Sequence, residues 1–250
     1  MIFKKTTVLF LFAPFIFISC KDDGVKKNGT DKPIFKIVED KYTSLKGINY
    51  SVDFNYGNED LFSMPPKNYS NDIFEKENSS ALFNSSKNEY SKLKNELVLS
   101  DNFSISIWIK PSENEGDLIP IISRSIDSQF KKPYYQFLLA LRGESYKDSP
   151  YSFFCWLSLG NELVSLSSLM NWQPNNWYNL IITYNQKSIK FYINGKLQGQ
   201  KGATGLINFS SEEVYVAKHC KFDYYYNGSI DNLQVFDREL TLDEVLILFD

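Results

Sequence analysis

Short segments in which apolar and polar residues alternate recur through the chain, and they constrain its fold more than any other feature. Residues 103–110 carry Phe, Ile, Ile and Ile at every second position and stop before Pro111. A period of two is the pattern of a β-strand with one buried face. Segments rich in aromatic and β-branched residues predict further strands at 134–141, 151–159, 176–184, 189–193, 214–217 and 229–236.

Turn and helix signals complete this pattern. Asn194-Gly195 favours a type I′ hairpin turn, because both central residues of that turn need a positive φ. At the end of the chain, Thr241 and Glu244 form a capping box that predicts a short helix. The apolar face of this helix is predicted to contain Leu242, Val245, Leu246 and Phe249. Many short strands without a long helical segment predict an all-β fold of two packed sheets.

Several of these segments are similar, in order, to the motifs of one family. Residues 103–111 are similar to a strand of sequence FTISAWVKP, and residues 176–184 are similar to one of sequence WHHVALTYD. Further similarities lie at residues 81–84, 90–93, 191–197, 227–236 and 238–245. The chain thus resembles laminin-G-like (LamG-like) jelly-roll domains of the concanavalin A-like lectin/glucanase superfamily. The resemblance implies an antiparallel two-sheet jelly-roll sandwich over residues 45–250, with a short C-terminal helix.

The first 40 residues predict export and anchoring. Residues 1–19 combine an early basic pair, an apolar run and a small residue, which is the layout of a signal peptide. Residues 17–20 resemble a lipobox, so Cys20 is predicted to be lipidated; the alternative is an ordinary signal peptide followed by a chance cysteine. Residues 20–40 are polar and charged, which predicts a flexible tether. We therefore expect a lipid-anchored protein of the outer membrane that is displayed on the cell surface.

Charge and cysteine content exclude some functions and leave one question open. A formal net charge of −3 argues against binding to nucleic acid through the overall charge. Apart from Cys20, the chain contains only Cys155 and Cys220. An oxidising compartment would allow a disulfide between them, and two separate buried thiols are the alternative.

The sequence does not contain the carboxylate pattern that the glucanases of this fold use in catalysis. Glucanases of the resembled superfamily place carboxylates in a Glu-x-Asp-x-Glu pattern, which puts them on one face of a strand, and this chain has no such pattern. The single histidine, His219, lies in a loop-like stretch and is interpreted as a surface residue. We therefore expect a protein that is not an enzyme.

Asp231 is the carboxylate that calls for an explanation. Counting by two places it on the same strand face as Leu233 and Val235, with Ile230 on the other face. A carboxylate on an apolar face must be paired, hydrogen-bonded or metal-bound. One alternative is an aspartate that accepts backbone N–H bonds from a turn. The other is a structural Ca²⁺ ligand, which the resemblance makes plausible because many laminin-G-like domains carry calcium.

Aromatic residues supply the candidates for ligand binding. Trp172 and Gln173 lie in a polar linker and are predicted to be exposed. Tyr224, Tyr225 and Tyr226 are consecutive, so at least one ring should face solvent. Trp108 points away from the predicted core and would either line a groove or be covered. Trp177 occupies a position that packs in the core of the resembled family.

These features together predict a non-catalytic, carbohydrate-binding surface lipoprotein whose partner is a glycan or polysaccharide. An adhesion or assembly module that recognises a protein on the same fold is the alternative. A glycoside hydrolase or lyase is the third hypothesis. The membrane is expected to be contacted through the lipid anchor only.

Overall fold

The computed structural model describes residues 45–94, 97–113 and 116–249. The predicted signal peptide, Cys20 and the tether lie outside these residues. In chain order the strands are β1 (Ile48–Val52), β2 (Phe62–Met64), β3 (Asn68–Ser70), β4 (Ser80–Phe83), β5 (Ser91–Leu93), β6 (Phe103–Pro111), β7 (Leu118–Ser125), β8 (Tyr135–Arg142), β9 (Ser152–Leu159), β10 (Glu162–Asn171), β11 (Tyr178–Tyr184), β12 (Ser188–Ile193), β13 (Lys196–Gly202), β14 (Val214–Val216) and β15 (Gly228–Phe236). One α-helix, α1 (Leu242–Phe249), follows them.

The strands form two antiparallel sheets packed face to face, which confirms the predicted jelly-roll sandwich. The first sheet has the order β13-β12-β11-β6-β15-β4-β3, and β1 pairs with β15 beyond the end of β4. The second sheet has the order β10-β9-β8-β7-β14-β5-β2. Strands distant in sequence are neighbours in both sheets, as in β6 beside β15, so long-range pairing holds the two ends of the domain together.

The core lies between the two sheets and follows the alternation in the sequence. Ile105, Ile107 and Ile109 of β6 point inward and share the core with Phe137 and Leu139 from β8 of the other sheet. Burying apolar surface at about 25 cal/mol per Å² is the main force that holds two such faces together. The described residues include no helix long and apolar enough to cross a membrane.

The predicted strands are confirmed within a few residues at their ends, whereas β2, β3, β7, β10 and β13 had no prediction of their own. β7, β10 and most of β13 contain proline, serine or glycine in place of a regular apolar alternation. β10 and β13 are edge strands, so their outward positions tolerate polar residues. The hairpin turn between β12 and β13 is as predicted, with φ values of 50° at Asn194 and 71° at Gly195.

Helix α1 packs on the outer face of the first sheet. Its capping box is confirmed, because the backbone N–H of Thr241 donates to the Glu244 carboxylate at 2.9 Å. Arg238 pairs with Glu244 at 2.6 Å, and its hydrogen bonds lower the pKa of Glu244 to about 2. The predicted apolar face was partly wrong: the buried stripe is centred on Val245 and Leu248, while Leu242 and Leu246 are exposed.

The two cysteines within the described residues are separate free thiols, so the open question about a disulfide is settled. Cys155 lies in the core between the sheets, where burial raises its pKa to about 12. Cys220 packs on the outer side of the second sheet, and burial raises its pKa to about 11.

Candidate functional site

One strip of the outer face of the first sheet is left uncovered by helix α1. Across it, Asn68 pairs with Leu82, Leu82 with Ser229, and Ser229 with Lys110. Directly paired residues of antiparallel strands point to the same face. Because Ala81 beside Leu82 points into the core, this row of four residues lies on the outside.

Two adjoining clefts follow this strip, and we call them together the groove. The larger cleft, of about 570 Å³, is lined in part by Tyr56, Lys67, Asn68, Asn84, Lys87 and Glu89. The smaller cleft, of about 380 Å³, is lined in part by Asn71, Glu75, Lys110, Asn175 and Ser229. Leu82 lines both clefts, so they adjoin each other, and asparagine side chains line each of them.

Hydrogen bonds fix the polar side chains of the larger cleft. The buried carboxylate of Glu89 accepts one bond from Asn68 Nδ2 at 3.1 Å and another from the backbone N–H of Asn84 at 3.0 Å. The Asn84 side chain in turn accepts a bond from the backbone N–H of Lys87 at 3.3 Å. Side chains that are held in this way lose little conformational entropy when a ligand binds.

Tyr56 places an open aromatic ring at the rim of the larger cleft. The residue is 72% exposed, and its ring meets the ring of Tyr69 edge-on with the centroids 5.5 Å apart. The hydroxyl of Tyr69 donates to the Glu59 carboxylate at 3.4 Å, which holds the supporting ring in place. The result is a flat apolar surface beside several amides.

Asp231 lies on the outer face of the first sheet, and the predicted face was wrong. It pairs with Trp108, and the register of β15 against β6 shifts directly after it. Asn232 has a φ of 47° and forms a β-bulge, which adds one residue and reverses the alternation. Ile230 therefore joins Leu233 in the core, which period-two counting cannot foresee.

The carboxylate of Asp231 has hydrogen-bond partners within its own bulge. It accepts bonds from the backbone N–H of Asn232 at 2.8 Å and from the Asn232 side chain at 3.1 Å. Burial raises the pKa of Asp231 well above its ordinary value, and the charges of Asp53 and Asp72 act in the same direction. Within the described ranges, no group of three or more His, Cys, Asp or Glu side chains could hold a metal ion. Calcium at Asp231 stays a prediction.

A second candidate region lies on the outer face of the second sheet. We call it the aromatic surface and define it as Phe130, Tyr134, Tyr135, Trp156, His219, Phe222 and Tyr224. The ring of Phe130 lies 5.1 Å from that of Tyr134 and 5.6 Å from that of Phe222. Phe222 and Tyr224 form its outer part and are 47% and 49% exposed. Most of its ring area is therefore used in contacts within the protein.

His219 is buried at the base of the aromatic surface, so its predicted surface position was wrong. Its Nδ1 accepts the backbone N–H groups of Lys221 and Phe222 at 2.9 and 3.0 Å. A neutral ring that accepts at Nδ1 carries its proton on Nε2, which then donates to the Tyr135 hydroxyl at 2.9 Å. Burial, reinforced by the charge of Lys218, lowers the pKa of His219 to about 4. The residue is a structural anchor for its loop.

The three consecutive tyrosines have different environments, and one ring faces solvent as predicted. Tyr224 is the exposed one, on the aromatic surface. Tyr225 is half-buried, with its ring 5.4 Å from the Lys218 ammonium. Tyr226 is fully buried, and its hydroxyl donates to the carbonyl of Ser229 at 3.1 Å. Tyr226 is therefore a core residue and not a ligand-binding residue.

Trp172 is also a core residue, so its predicted exposure was wrong. It is 2% exposed, and its indole N–H donates to the carbonyl of Arg142 at 2.9 Å. Trp172 and Gln173 do lie between strands β10 and β11, as predicted, but the ring of Trp172 packs against Tyr151. The neighbouring Gln173 side chain is exposed, but it does not line the groove.

Of the two alternatives for Trp108, the structure shows the covered one. Its ring lies on the outer face, as predicted, and stacks on Phe249 of α1 with the centroids 6.1 Å apart. Trp177 is half-buried and outside the core clusters, because Tyr178 takes the inward position next to it. The Lys110 ammonium lies 6.0 Å from the Trp177 ring, at the end of the groove.

Sequence reasoning missed the residues of the groove. Tyr56 and Asn68 lie before residues 81–84, the first segment that resembles the family, and Lys67 follows two prolines. Only the density of Asn, Lys and Tyr in residues 55–90 could have indicated them. Their proximity to Lys110 and Ser229 depends on long-range strand pairing, which no local pattern encodes.

Comparisons with known proteins agree with this architecture. Residues 85–246 match a family model of the concanavalin A-like lectin/glucanases superfamily. Domain 4 of AbnA, an extracellular arabinanase from Geobacillus stearothermophilus that was solved with arabinotriose, superposes with a TM-score of 0.59 at 17% identity. The superposition covers 82% of this chain and 98% of that one. No curated protein matches the sequence.

Two toxin domains are similar over part of their length. The receptor binding domain of botulinum neurotoxin type G gives a TM-score of 0.55 at 20% identity, and the binding domain of Paraclostridial mosquitocidal protein 1 gives 0.56 at 16%. Each match covers 81% of this chain, but only 51% and 52% of the toxin chains. At such identities the likeness shows a shared fold.

Proposed function

We propose that the chain, which belongs to the concanavalin A-like lectin/glucanases superfamily, is a non-catalytic carbohydrate-binding protein whose ligand lies in the groove. The observation that carries this proposal is the exposed ring of Tyr56 beside a cleft lined by asparagine side chains. Amides donate and accept hydrogen bonds in fixed directions, which suits the neighbouring hydroxyls of a sugar. A flat exposed ring suits the apolar C–H face of the same sugar.

The dimensions of the groove support an oligosaccharide as the ligand. The row from Asn68 to Lys110 crosses four strands, so it spans about 14 Å at the usual spacing between strands. This length accommodates several sugar units, and Leu82 in the middle offers an apolar contact between two polar stretches. The arabinanase domain of the same fold was solved with a trisaccharide, which supports a ligand of this kind.

The carboxylates of the groove support binding without hydrolysis. Glycosidases use two carboxyl groups that flank the scissile bond, one of them as an acid. In the groove, both oxygens of Glu89 accept hydrogen bonds from the protein, and Glu75 accepts one from Asn71 Nδ2 at 3.4 Å. Carboxylates engaged in this way are better suited to shaping a site than to transferring protons.

A glycan array tests this proposal. The full chain, purified in mild detergent, is screened against plant and microbial polysaccharides with and without calcium. We expect one glycan class to bind and Tyr56→Ala to weaken its affinity about fivefold, since an aromatic contact is worth about 1 kcal/mol. Phe209→Ala, which removes a ring that is 77% exposed elsewhere on the surface, is the matched control. Binding that depends on calcium would support Asp231 as a ligand.

Two outcomes of the array would contradict the proposal. A folded chain that binds no glycan would remove carbohydrate recognition altogether. A glycan affinity that is unchanged by Tyr56→Ala would show that the groove is not the binding site. The outer face of the other sheet would then be tested.

We propose in addition that the domain is held at the cell surface through a lipidated Cys20. This follows from the lipobox-like residues 17–20 and the polar segment after them, all of which lie outside the described residues. Metabolic labelling with a radioactive fatty acid should mark the wild-type protein and not Cys20→Ser. Equal labelling of both proteins would refute the anchor.

Recognition of a protein is the second candidate function, and the aromatic surface is the observation that favours it. Phe222 and Tyr224 project from it, and neither lines the groove. Exposed aromatic residues on an outer surface are typical of binding hot spots in protein interfaces. A partner that is recovered with the wild type and lost with Phe222→Ser would support this alternative.

A further inference from the structure

We infer that the groove selects acidic glycans, whose sugar units carry carboxylate or sulfate groups. This inference rests on the proposed function of the groove and adds the chemical class of its ligand. It starts from the charges that line the two clefts, which differ in sign from the charge of the whole chain. The formal net charge of the chain is −3, whereas the groove is lined by three lysines and two glutamates and so has an excess of positive charge.

Three lysines supply the positive charge. Lys67 and Lys87 line the larger cleft, and Lys110 lines the smaller one. In the part of the chain that the structure describes, the four ion pairs involve other basic residues, namely Lys92, Lys190, Lys218 and Arg238. No described carboxylate therefore forms an ion pair with the three groove lysines.

The two carboxylates that line the groove offset only part of this positive charge, and neither forms an ion pair with the three lysines. Glu89 is buried and directs one oxygen to Asn68 and the other to the backbone of Asn84. Glu75 is exposed at the rim and accepts a bond from Asn71. An acidic ligand can therefore reach the lysines without displacing an internal ion pair, and a cleft with low-dielectric walls strengthens such an attraction.

The positions of the lysines indicate a ligand with more than one acidic group. Lys67 and Lys87 lie on one side of Leu82, and Lys110 lies across two further strands on the other side. A single terminal acidic sugar could meet one of these sites but not both. A chain of acidic units would meet both, and Leu82 would contact the sugar ring between them.

A matched pair of polymers tests this inference on the full chain. Oligomers of polygalacturonate are compared with their methyl-esterified form, which has the same backbone without the charge. A sulfated galactan and its desulfated form make the second pair and distinguish sulfate from carboxylate. Affinity is measured by isothermal titration calorimetry at low and high salt, because attraction between exposed charges falls with ionic strength.

We expect one acidic polymer to bind at least fivefold more tightly than its neutral form. Its affinity should fall in high salt. Lys67→Gln, Lys87→Gln and Lys110→Gln should each reduce that affinity two- to fivefold, as expected for exposed charge pairs. Lys201→Gln, which removes an exposed lysine on strand β13 outside the groove, should leave it unchanged.

The outcomes separate this inference from the proposed function. Equal affinity for charged and neutral forms, or an effect of Lys201→Gln equal to that of the groove variants, would overturn acidic selection. A neutral glycan could bind with an affinity that Tyr56→Ala abolishes and that the three lysine variants leave unchanged. In that case carbohydrate binding would stand and acidic selection would fall. A chain that bound no glycan of any charge would overturn both.

Discussion

The groove and the aromatic surface occupy the outer faces of opposite sheets, and they use their side chains differently. In the groove, the Tyr56 ring and the Leu82 side chain are open to solvent beside a cleft of about 570 Å³. On the aromatic surface, the rings face one another, and the Phe130 and Tyr135 centroids lie 5.2 Å apart. The difference shows that a high density of aromatic residues does not by itself mark a binding site. Aromatic rings that pack against one another stabilise the fold.

The comparison leads to an expectation about the effects of substitutions. Groove side chains should contribute to affinity and little to stability, because water already surrounds them. Side chains of the aromatic surface should contribute to stability, because their removal leaves contacts unfilled. Three variants test these expectations, and they are taken from the largest expected effect to the smallest.

The backbone beneath the groove, unlike the groove side chains, should contribute strongly to stability. We expect the largest loss of stability there. Gly228 begins strand β15 with a φ of 137°, and a Cβ on it would lie 2.3 Å from the carbonyl oxygen of Lys110. The clash is with a neighbouring strand, so the strands must separate. We expect Gly228→Ala to lower the free energy of unfolding by about 3 kcal/mol in chemical denaturation. Gly202→Ala is the control, since its Cβ would meet no atom within 4 Å. Equal losses in both variants would show that the groove does not depend on this close approach.

We expect an effect of intermediate size when the pH is lowered, because His219 lies at the base of the aromatic surface. The folded-state pKa of His219 is about 4, below the ordinary value of 6.5, because burial disfavours the imidazolium. The unfolded state therefore binds more protons between these values, and stability that is fully present above about pH 6.5 is lost as pH falls toward 4. Its neighbours Tyr135 and Cys220 have raised pKa values and stay neutral in this range. We expect the free energy of unfolding to fall by about 1–2 kcal/mol between about pH 7 and about pH 5.

His219→Asn isolates this contribution. The amide oxygen of asparagine can accept the backbone N–H groups of Lys221 and Phe222 in place of Nδ1 and does not titrate. We expect the variant to be less stable at neutral pH and to show a flatter dependence on pH than the wild type. A wild type and a variant with parallel pH profiles would mean that other groups cause the acid sensitivity.

The fold was predictable from sequence, because strand alternation is a local pattern and one buried face imposes it. The segment containing Ile105, Ile107 and Ile109 could hardly be anything except a strand with its isoleucines in the core. The candidate site was not predictable in the same way. Trp172 and His219 lie beside polar residues in sequence, and only long-range packing buries them. Asp231 was placed on the wrong face because one bulge residue, Asn232, reverses the alternation.

The smallest effect separates the two regions most directly. Tyr224 was predicted as a ligand-binding residue, and it is the exposed end of the aromatic surface, where its ring meets His219 edge-on at 5.9 Å. Because half of the residue is in water, Tyr224→Ala should change the free energy of unfolding by only about 0.5 kcal/mol. It should leave glycan affinity unchanged, whereas Tyr56→Ala removes a ring of the same type from the groove and should weaken it. If Tyr224→Ala weakened glycan binding as much as Tyr56→Ala did, the contrast between the regions would fail, since sugar would then contact both faces of the sandwich.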